Sequence, residues 1–364
     1  MIFKRFETDD IIQGNPSEVT TGLWTGDTGS LTSFVTSSTQ VAADSSRYYV
    51  NIFDVSTADQ ETQFAVAYGN VDGGGSATLV QDDTAKLETK VTYLQYKNLL
   101  LDPTDDYFTF GTFTSHHIYV VNIQRARTRG RLDAGNWQLV LSGSRGTSTF
   151  IDDSLQTLGA NVSFGKSGRV FNIVSGSLTG VSGSTIAATS SSNAGVFGLC
   201  YPDLGILVFN PSAVSESVGL VGAGENSSSL TNMAAGGWSA PFAPYTSSLA
   251  GNGGVYYPQY NHWGFVRSMQ LGNDFQARSS EIISSTHYFV RLRNKEYNYT
   301  NNPTFYNLSN GTINNEDFVN NPKVYVTTIG LYNDNNELLA VGKVSKPVEK
   351  SFEKEALIRV RLDF

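Results

Sequence analysis

Ala356-Leu357-Ile358-Arg359-Val360-Arg361-Leu362-Asp363-Phe364 alternates from Ile358 onward. Ile358, Val360, Leu362 and Phe364 would face one side and Arg359, Arg361 and Asp363 the other, because successive side chains of an extended strand point in opposite directions. The pattern predicts a strand with one face covered and one face wet, as antiparallel sheets carry. Reading back along the chain, residues 284–293, 322–332 and 337–344 have the same β-branched and aromatic texture. Asn333-Asp334-Asn335-Asn336 lies between the last two and reads as a tight hairpin. Four such strands predict an antiparallel β-sandwich module over residues 261–364, with the strands at 322–332 and 337–344 covering the apolar face of the last.

Residues 1–260 continue in the same vein and read as a second β-rich module. Strands are predicted at 46–55, 62–69, 117–124 and 136–142. Val196–Tyr201 and Gly205–Asn210 flank Pro202-Asp203-Leu204-Gly205, a hairpin turn written in Pro, Asp and Gly. Residues 84–101 are the exception: Leu87, Val91 and Leu94 fall at helical spacing, Asp82 or Asp83 can cap the start, and Asp102-Pro103 ends the run. Residues 175–195 and 222–254, rich in Ser, Gly and Asn, read as long loops. The fold class expected is therefore mainly β: antiparallel β-sandwich modules with one short helix and long Gly/Ser loops. No repeat recurs at a period of 20–50 residues, which disfavours a solenoid or propeller.

Of the 364 residues, 40% are hydrophobic and 12% aromatic, enough for folded cores. Only 16% are charged, against roughly 25% in an average soluble domain, which suits a surface that packs against neighbours. A net charge of −8 argues against nucleic acid as a partner, since that partner calls for a basic field. The single cysteine, Cys200, excludes an intrachain disulfide framework and, within Val196-Phe197-Gly198-Leu199-Cys200, reads as a buried inert thiol. No apolar stretch approaches the ~20 residues of a membrane span, so no membrane partner is expected. Met1 to Phe6 run into acidic residues without an apolar core, so synthesis and folding in a cytoplasm are expected. Five Asn-x-Ser/Thr sequons, at Asn161, Asn226, Asn298, Asn307 and Asn310, are then products of an Asn- and Ser-rich composition.

Four features invite chemical readings. Ala160 to Ser167 match a relaxed phosphate-binding loop ending in Gly165-Lys166-Ser167, but Gly168 to Val174 read as strand where that chemistry needs a helix N-terminus. His116 and His117 adjoin on a predicted strand and would face opposite sides, while His262 and His287 stand alone, so no metal site is expected. The pairs Asp82-Asp83, Asp105-Asp106 and Asp152-Asp153 invite comparison with the two carboxylates of a glycosidase, yet all sit beside turn signals and read as solvated turn residues or caps. Arg125, Arg127, Arg129 and Arg131 recur at period two; if extended, they form either a cationic ridge suited to an acidic neighbour or a solvated hairpin arm. No nucleophile–base arrangement stands out. The chain is expected to be no enzyme and to use no cofactor.

One stretch carries a family resemblance. Ser284 to Tyr299, Asn301 to Phe305, Val324 to Asp334, Glu337 to Val344, Lys350 to Glu355 and Ile358 to Phe364 together resemble virion structural proteins of large contractile-tailed phages, notably cyanobacterial myophages. Ile329-Gly330-Leu331-Tyr332-Asn333-Asp334 with Glu337 to Val341 is similar to a β-module of phage tail-fibre and baseplate proteins. A weaker similarity runs through Tyr93–Leu101 and Asn122–Leu141. The resemblance implies a structural subunit of the tail baseplate, in its wedge. Its partners would be other tail and baseplate proteins, with self-association into a homo-oligomer open, and it carries over no catalytic residues. The implied location is the virion, assembled in the host cytoplasm. The alternative is a receptor- or glycan-binding tail-fibre component that stacks sugars on Trp238, Tyr256, Tyr257, Tyr260 and Trp263.

Overall fold

Frequent Gly, Pro, Asn and Asp cut the chain into short extended stretches, and in the computed structural model these are antiparallel strands with few helices: the fold is mainly β. The structure describes residues 4–37, 40, 48–55, 60–73, 88–143, 145–154, 163–178, 195–219, 261–300 and 302–363. The expected loops at 175–195 and 222–254 lie outside them, apart from 175–178 and 195.

In chain order come β1 (Ile11–Gln13), β2 (Ser17–Gly22), β3 (Ser30–Leu31), β4 (Val35–Thr36), β5 (Tyr49–Phe53) and β6 (Thr62–Asn70). Helix α1 (Glu88–Leu100) precedes β7 (Phe108–Phe110), β8 (Phe113–Ser115) and β9 (His117–Ile123). The single turn α2 (Arg125–Thr128) leads into β10 (Arg131–Gly143), β11 (Gly146–Asp152), β12 (Ser163–Gly165) and β13 (Gly168–Ser175). Next are β14 (Gly198–Tyr201), β15 (Ile206–Phe209), α3 (Pro211–Val218), α4 (Asn261–Gly272) and β16 (Phe275–Ile283). The last elements are β17 (Ser285–Leu292), α5 (Asp317–Asn320), β18 (Val324–Tyr332), β19 (Leu338–Lys350) and β20 (Ala356–Asp363).

The chain divides into two units, Val19–Glu281 and Met1–Glu18 together with Ile282–Phe364. The boundary lies some twenty residues beyond the expected division at 260/261. Two interactions move it. Helix α4 and the first half of β16 bury Phe265, Val266, Met269, Phe275 and Ala277 in the core of the larger unit. At the other end β1 pairs with β17, Ile11 opposite Tyr288, and so ties the first residues to the C-terminal unit.

In the larger unit the sheet runs β16-β10-β11-β13-β14-β15-β9-β6-β5, every neighbour antiparallel. Its two ends are joined by one stretch of chain: β3 pairs with β16, Leu31 opposite Phe275, and four residues later β4 pairs with β5, Val35 opposite Phe53. This stretch of chain bridges the two ends of the sheet into a ring, through two residue pairs at each end. Alternate residues point inward, among them Phe64, Val66 and Tyr68 of β6, Tyr119, Val121 and Ile123 of β9, and Trp137, Leu139 and Leu141 of β10. Phe265 of α4 joins them, its ring 4.8 Å from Tyr119 and 5.3 Å from Phe209. The other end of α4 comes close enough to β10 that a Cβ on Gly272 would sit 2.1 Å from the Val140 carbonyl oxygen. Cys200 is fully buried in this interior, as expected, and burial pushes its thiol pKa up.

The outward residues of four strands are covered too. Ala67, Ile118, Val120, Tyr201, Ile206 and Val208 lie beneath Tyr93, Tyr96 and Leu100 of α1 and Phe108 and Phe110 of the β7–β8 hairpin. Gly69 is required there, since a Cβ would fall 2.8 Å from the Tyr93 amide nitrogen. The buried face of α1 is thus not the one expected. Val91 and Leu94 are 43% and 37% exposed, and the two tyrosines are inside. The expected helix start, with Leu87 and Asp82 or Asp83, lies outside the described residues. The hairpin at 202–205 forms as read: β14 pairs with β15, the Leu204 amide donates to Tyr201 O, and Gly205 takes the positive φ that the turn needs.

In the C-terminal unit, β17 lies between β1 and β20 in a three-stranded sheet, and β18–β19 form a separate hairpin. All four strands expected from the sequence are present. Their pairing differs: β20 is hydrogen-bonded to β17 along its whole length, from Ser285 opposite Asp363 to Leu292 opposite Ala356. Its alternation is as read, with Ile358, Val360 and Leu362 half-buried and Arg359, Arg361 and Asp363 exposed; Phe364 lies outside the described residues. The hairpin does lie over β20, since a Cβ on Gly342 would be 3.9 Å from Val360 Cγ2. Between strands, Asn side chains build the turns. Asn307 Oδ1 accepts the amide and hydroxyl of Ser309, and Asn310 Oδ1 those of Thr312. Two of the sequons are therefore Asx turns, for which a hydroxyl two residues on is the fitting partner.

Candidate interaction surfaces

The arginine run does not form an extended ridge. Arg125 and Arg127 lie on the single turn α2, Arg129 has φ of 50° and Arg131 opens β10, so the period of two is lost. Each guanidinium is engaged within the chain. Arg125 donates to Asp203 O at 3.2 Å, and Arg127 pairs with Glu61. Arg129 pairs with Asp27 at 2.7 Å, and Arg131 donates to Ser280 Oγ at 3.3 Å. These contacts lock the 125–131 corner to other parts of its own unit. At exposed pairs such as Arg129–Asp27 each is worth at most about 1 kcal/mol.

The acid pairs separate in character. Asp105 and Asp106 are exposed, as expected of turn residues, whereas Asp82 and Asp83 lie outside the described residues. Asp152 and Asp153 overturn the solvated reading: both are buried at the end of β11. Backbone amides explain why carboxylates are tolerated there. Asp152 accepts from Gly135 N at 2.8 Å and Ser154 N at 3.0 Å. Asp153 accepts the backbone and side-chain nitrogens of Asn172 at 3.0 and 2.9 Å. Burial still holds the Asp153 carboxyl above its ordinary pKa, against the lowering effect of Asn172. The pair fastens β10, β11 and β13 together. No third acid, His or Cys joins it in a ligating group among the described residues.

The Gly165-Lys166-Ser167 segment is a hairpin turn between β12 and β13. Lys166 Nζ donates to Asn98 O at 2.8 Å and Ser167 Oγ to Leu100 O at 3.1 Å. Both atoms satisfy orphan carbonyls at the C-terminus of α1, where a cation also complements the helix dipole. Lys166→Ala should lower stability by about 0.5–1 kcal/mol through loss of this cap. It should leave the melting temperature equally unresponsive to Mg-ATP, as thermal scans with and without nucleotide would show. ATP-dependent stabilisation of the wild type, lost in the variant, would overturn that expectation.

His116 and His117 face opposite sides as read, His116 outward against Asp72 and Tyr107, His117 inward. His117 Nε2 lies 3.2 Å from Ser212 Oγ at the start of α3. Burial lowers its pKa to about 4, and His116 beside it adds to the effect. An unfolded imidazole titrates near 6.5. Protonation therefore favours the unfolded chain, and the contribution of neutral His117 is complete above pH 6.5 and lost as the pH falls towards 4. At about 1.4 kcal/mol per pH unit, moving to pH 5 should cost about 2 kcal/mol. Urea midpoints at pH 7.5 and 5.0 check this, since His117→Gln should flatten the difference. Equal slopes for the two proteins would refute it.

Trp263, one of the aromatics expected to stack on sugar in the tail-fibre alternative, is in the core of the larger unit, and the other four lie outside the described residues. Outward-facing apolar side chains occur in both units, Phe164 and Leu308 among them, and one group of them lies together on the β18–β19 hairpin. Tyr332 and Leu338 are paired across it, as are Gly330 and Val341, and Tyr332, Leu338 and Val341 are 38%, 52% and 59% exposed. Leu339, the extra residue at the register shift, is 67% exposed. Gly330 makes room for this cluster: a Cβ there would be 2.8 Å from the Tyr332 ring and 3.2 Å from Leu338 Cδ1. The opposite face carries Ile329 and Leu331, which are buried. The hairpin is thus apolar on both faces, a pattern that period-two alternation alone does not reveal. Among the described residues no helix is long and apolar enough to cross a membrane. No family model, no curated protein and no solved structure matches the chain.

Proposed function

We propose that the chain is a structural subunit of a bacteriophage virion, positioned in the tail baseplate, that works by docking against neighbouring baseplate proteins. The observation that carries this reading is the outward apolar cluster of Tyr332, Leu338, Leu339 and Val341 on a hairpin within the stretch that resembles tail and baseplate proteins. Contiguous exposed apolar surface of this kind marks interaction sites in soluble proteins. Low overall charge supports the same reading, because interface cores are depleted of charged residues and enriched in aromatics. The glycan-stacking alternative loses Trp263, which is committed to the core.

Cryo-EM of purified virions tests the proposal. The chain should appear as an ordered, repeated subunit at the tail end, with the β18–β19 hairpin against a neighbour. Infectious particles whose mass spectra lack this chain would show the proposal to be wrong.

A further inference from the structure

Lys350, the last residue of β19, is fully buried in the C-terminal unit. Lysine is almost never wholly inside a protein without a carboxylate to pair with, because an isolated ammonium is costly to strip of water. Among the described residues no carboxylate is in ion-pair contact with Lys350, and its partners are neutral oxygens of the segment that follows β17. Nζ donates to Asn294 O at 3.2 Å, to Arg293 O at 3.5 Å and to Asn298 Oδ1 at 2.5 Å. The last of these is the closest. The carbonyl bond adds at most about 1.2 Å, so Asn298 Cγ lies within about 3.7 Å of Nζ. That approaches the roughly 3–3.5 Å of two atoms poised to react. The Asn298 amide is itself held in place, its Nδ2 donating to Asn294 O at 2.7 Å.

We propose that Lys350 and Asn298 join in an isopeptide bond, which the chain forms on itself once the C-terminal unit has folded. Lys350 Nζ attacks Asn298 Cγ, a new C–N bond forms, the Cγ–Nδ2 bond breaks and one ammonia leaves. Nothing is oxidised or reduced, and no further reactant is needed. The step calls for Nζ without its extra proton, and burial lowers the pKa of that amine. Glu296 is the proton carrier, its charge acting directly on Lys350. Its Oε2 accepts from Lys4 Nζ at 2.8 Å and from the Arg293 amide at 3.0 Å, while Oε1 has no partner among the described residues. Starting from the neutral amine, one proton passes through Oε1 from Nζ to the departing Nδ2. The product removes a buried charge and ties the segment after β17 to the base of the β18–β19 hairpin. Closing the chain between 298 and 350 restricts the unfolded state as a disulfide does. The inference does not rest on the docking proposal.

Mass spectrometry of the purified full chain, denatured before injection, tests it. After allowance for removal of Met1, the wild type should be lighter than its sequence mass by one ammonia, about 17 Da. A tryptic digest should yield a branched peptide that joins Asn298 to Lys350. Asn298→Ala and Lys350→Arg should each restore the full mass and abolish the branched peptide. Glu296→Gln, at a partly exposed position, keeps both reacting atoms and should lower the linked fraction at least about tenfold. Wild type at its full sequence mass, or a loss of ammonia without the branched peptide, would overturn the proposal. A branched peptide as abundant in Glu296→Gln as in the wild type would overturn the role given to Glu296.

Discussion

Deleting residues 358–364 should unfold the C-terminal unit while leaving the larger unit intact. Strand β20 is hydrogen-bonded to β17 over eight consecutive positions, and Ile358, Val360 and Leu362 are half-buried along one face. Each half-buried side chain contributes about 1 kcal/mol, half the usual range for full burial, so the three together give about 3 kcal/mol. Several ladder hydrogen bonds, at about 1 kcal/mol each, raise the loss to the order of 5–8 kcal/mol. That is comparable with the roughly 5–15 kcal/mol that holds a typical domain together. The deletion also exposes the edge of β17, an invitation to aggregate. Hydrogen exchange should therefore lose protection across 285–292 and 324–350 but keep it across 117–123 and 206–209, with reduced solubility. Arg359→Ala, on the exposed side of the same strand, should change stability by less than about 0.5 kcal/mol. Retained protection across 285–292 in the truncated chain would mean that β20 does not hold this sheet.

The elements that could be read from the sequence are those fixed by neighbouring residues. Pro202 to Gly205 specify their own turn, and the strands on either side have nowhere to go but together. The four C-terminal strands were legible for the same reason, but their partners were not: β17 meets β20 across more than sixty residues of chain, and nothing local encodes that choice. The α1 face shows a different limit. Counting Leu and Val as the buried positions puts Val91 and Leu94 inside, yet Tyr93 and Tyr96 fill the space above Ala67 and Val120 because a large ring suits the gap over small and β-branched neighbours. Burial of Tyr93 raises its hydroxyl pKa to about 12, and that hydroxyl is kept satisfied by the Ser115 carbonyl and the Phe108 amide. Asp152 and Asp153 mislead in the same way, since the amides that make their burial tolerable come from Gly135, Ser154 and Asn172. The arginine run suggested an extended ridge, and its turn at Arg125–Thr128 is set by partners at Glu61, Asp27 and Asp203 that lie up to about a hundred residues away.

The closure of the ring is the feature least visible in the sequence and the one on which the larger unit most depends. Leu31 and Phe275 are paired across 244 positions, and two short strands of two residues each complete the circuit. So few ladder bonds cannot hold the junction alone. Aromatic packing does: Phe64 of β6 lies 5.8 Å from Trp24, 6.3 Å from Phe34 and 5.5 Å from Phe275, ring centre to ring centre. Trp24 anchors the group by donating its indole N–H to Phe275 O at 2.8 Å. Phe64→Ala should therefore destabilise the larger unit by about 3–5 kcal/mol, combining lost transfer energy with the cavity left among three rings that cannot all collapse inward. For a unit of this size that corresponds to a fall in melting temperature on the order of 10 °C. Phe164→Ala is the matched control, removing the same ring from a site that is 76% exposed, and should cost less than about 0.5 kcal/mol. Beyond the size of the effect, its location is diagnostic. If Phe64 seals the ring, the loss of exchange protection in the variant should begin at β3, β4 and β5 and reach β14 and β15 last. A variant that loosens β14 and β15 first, or that melts with the control, would mean that the ring is closed by its short strands and not by the aromatic cluster.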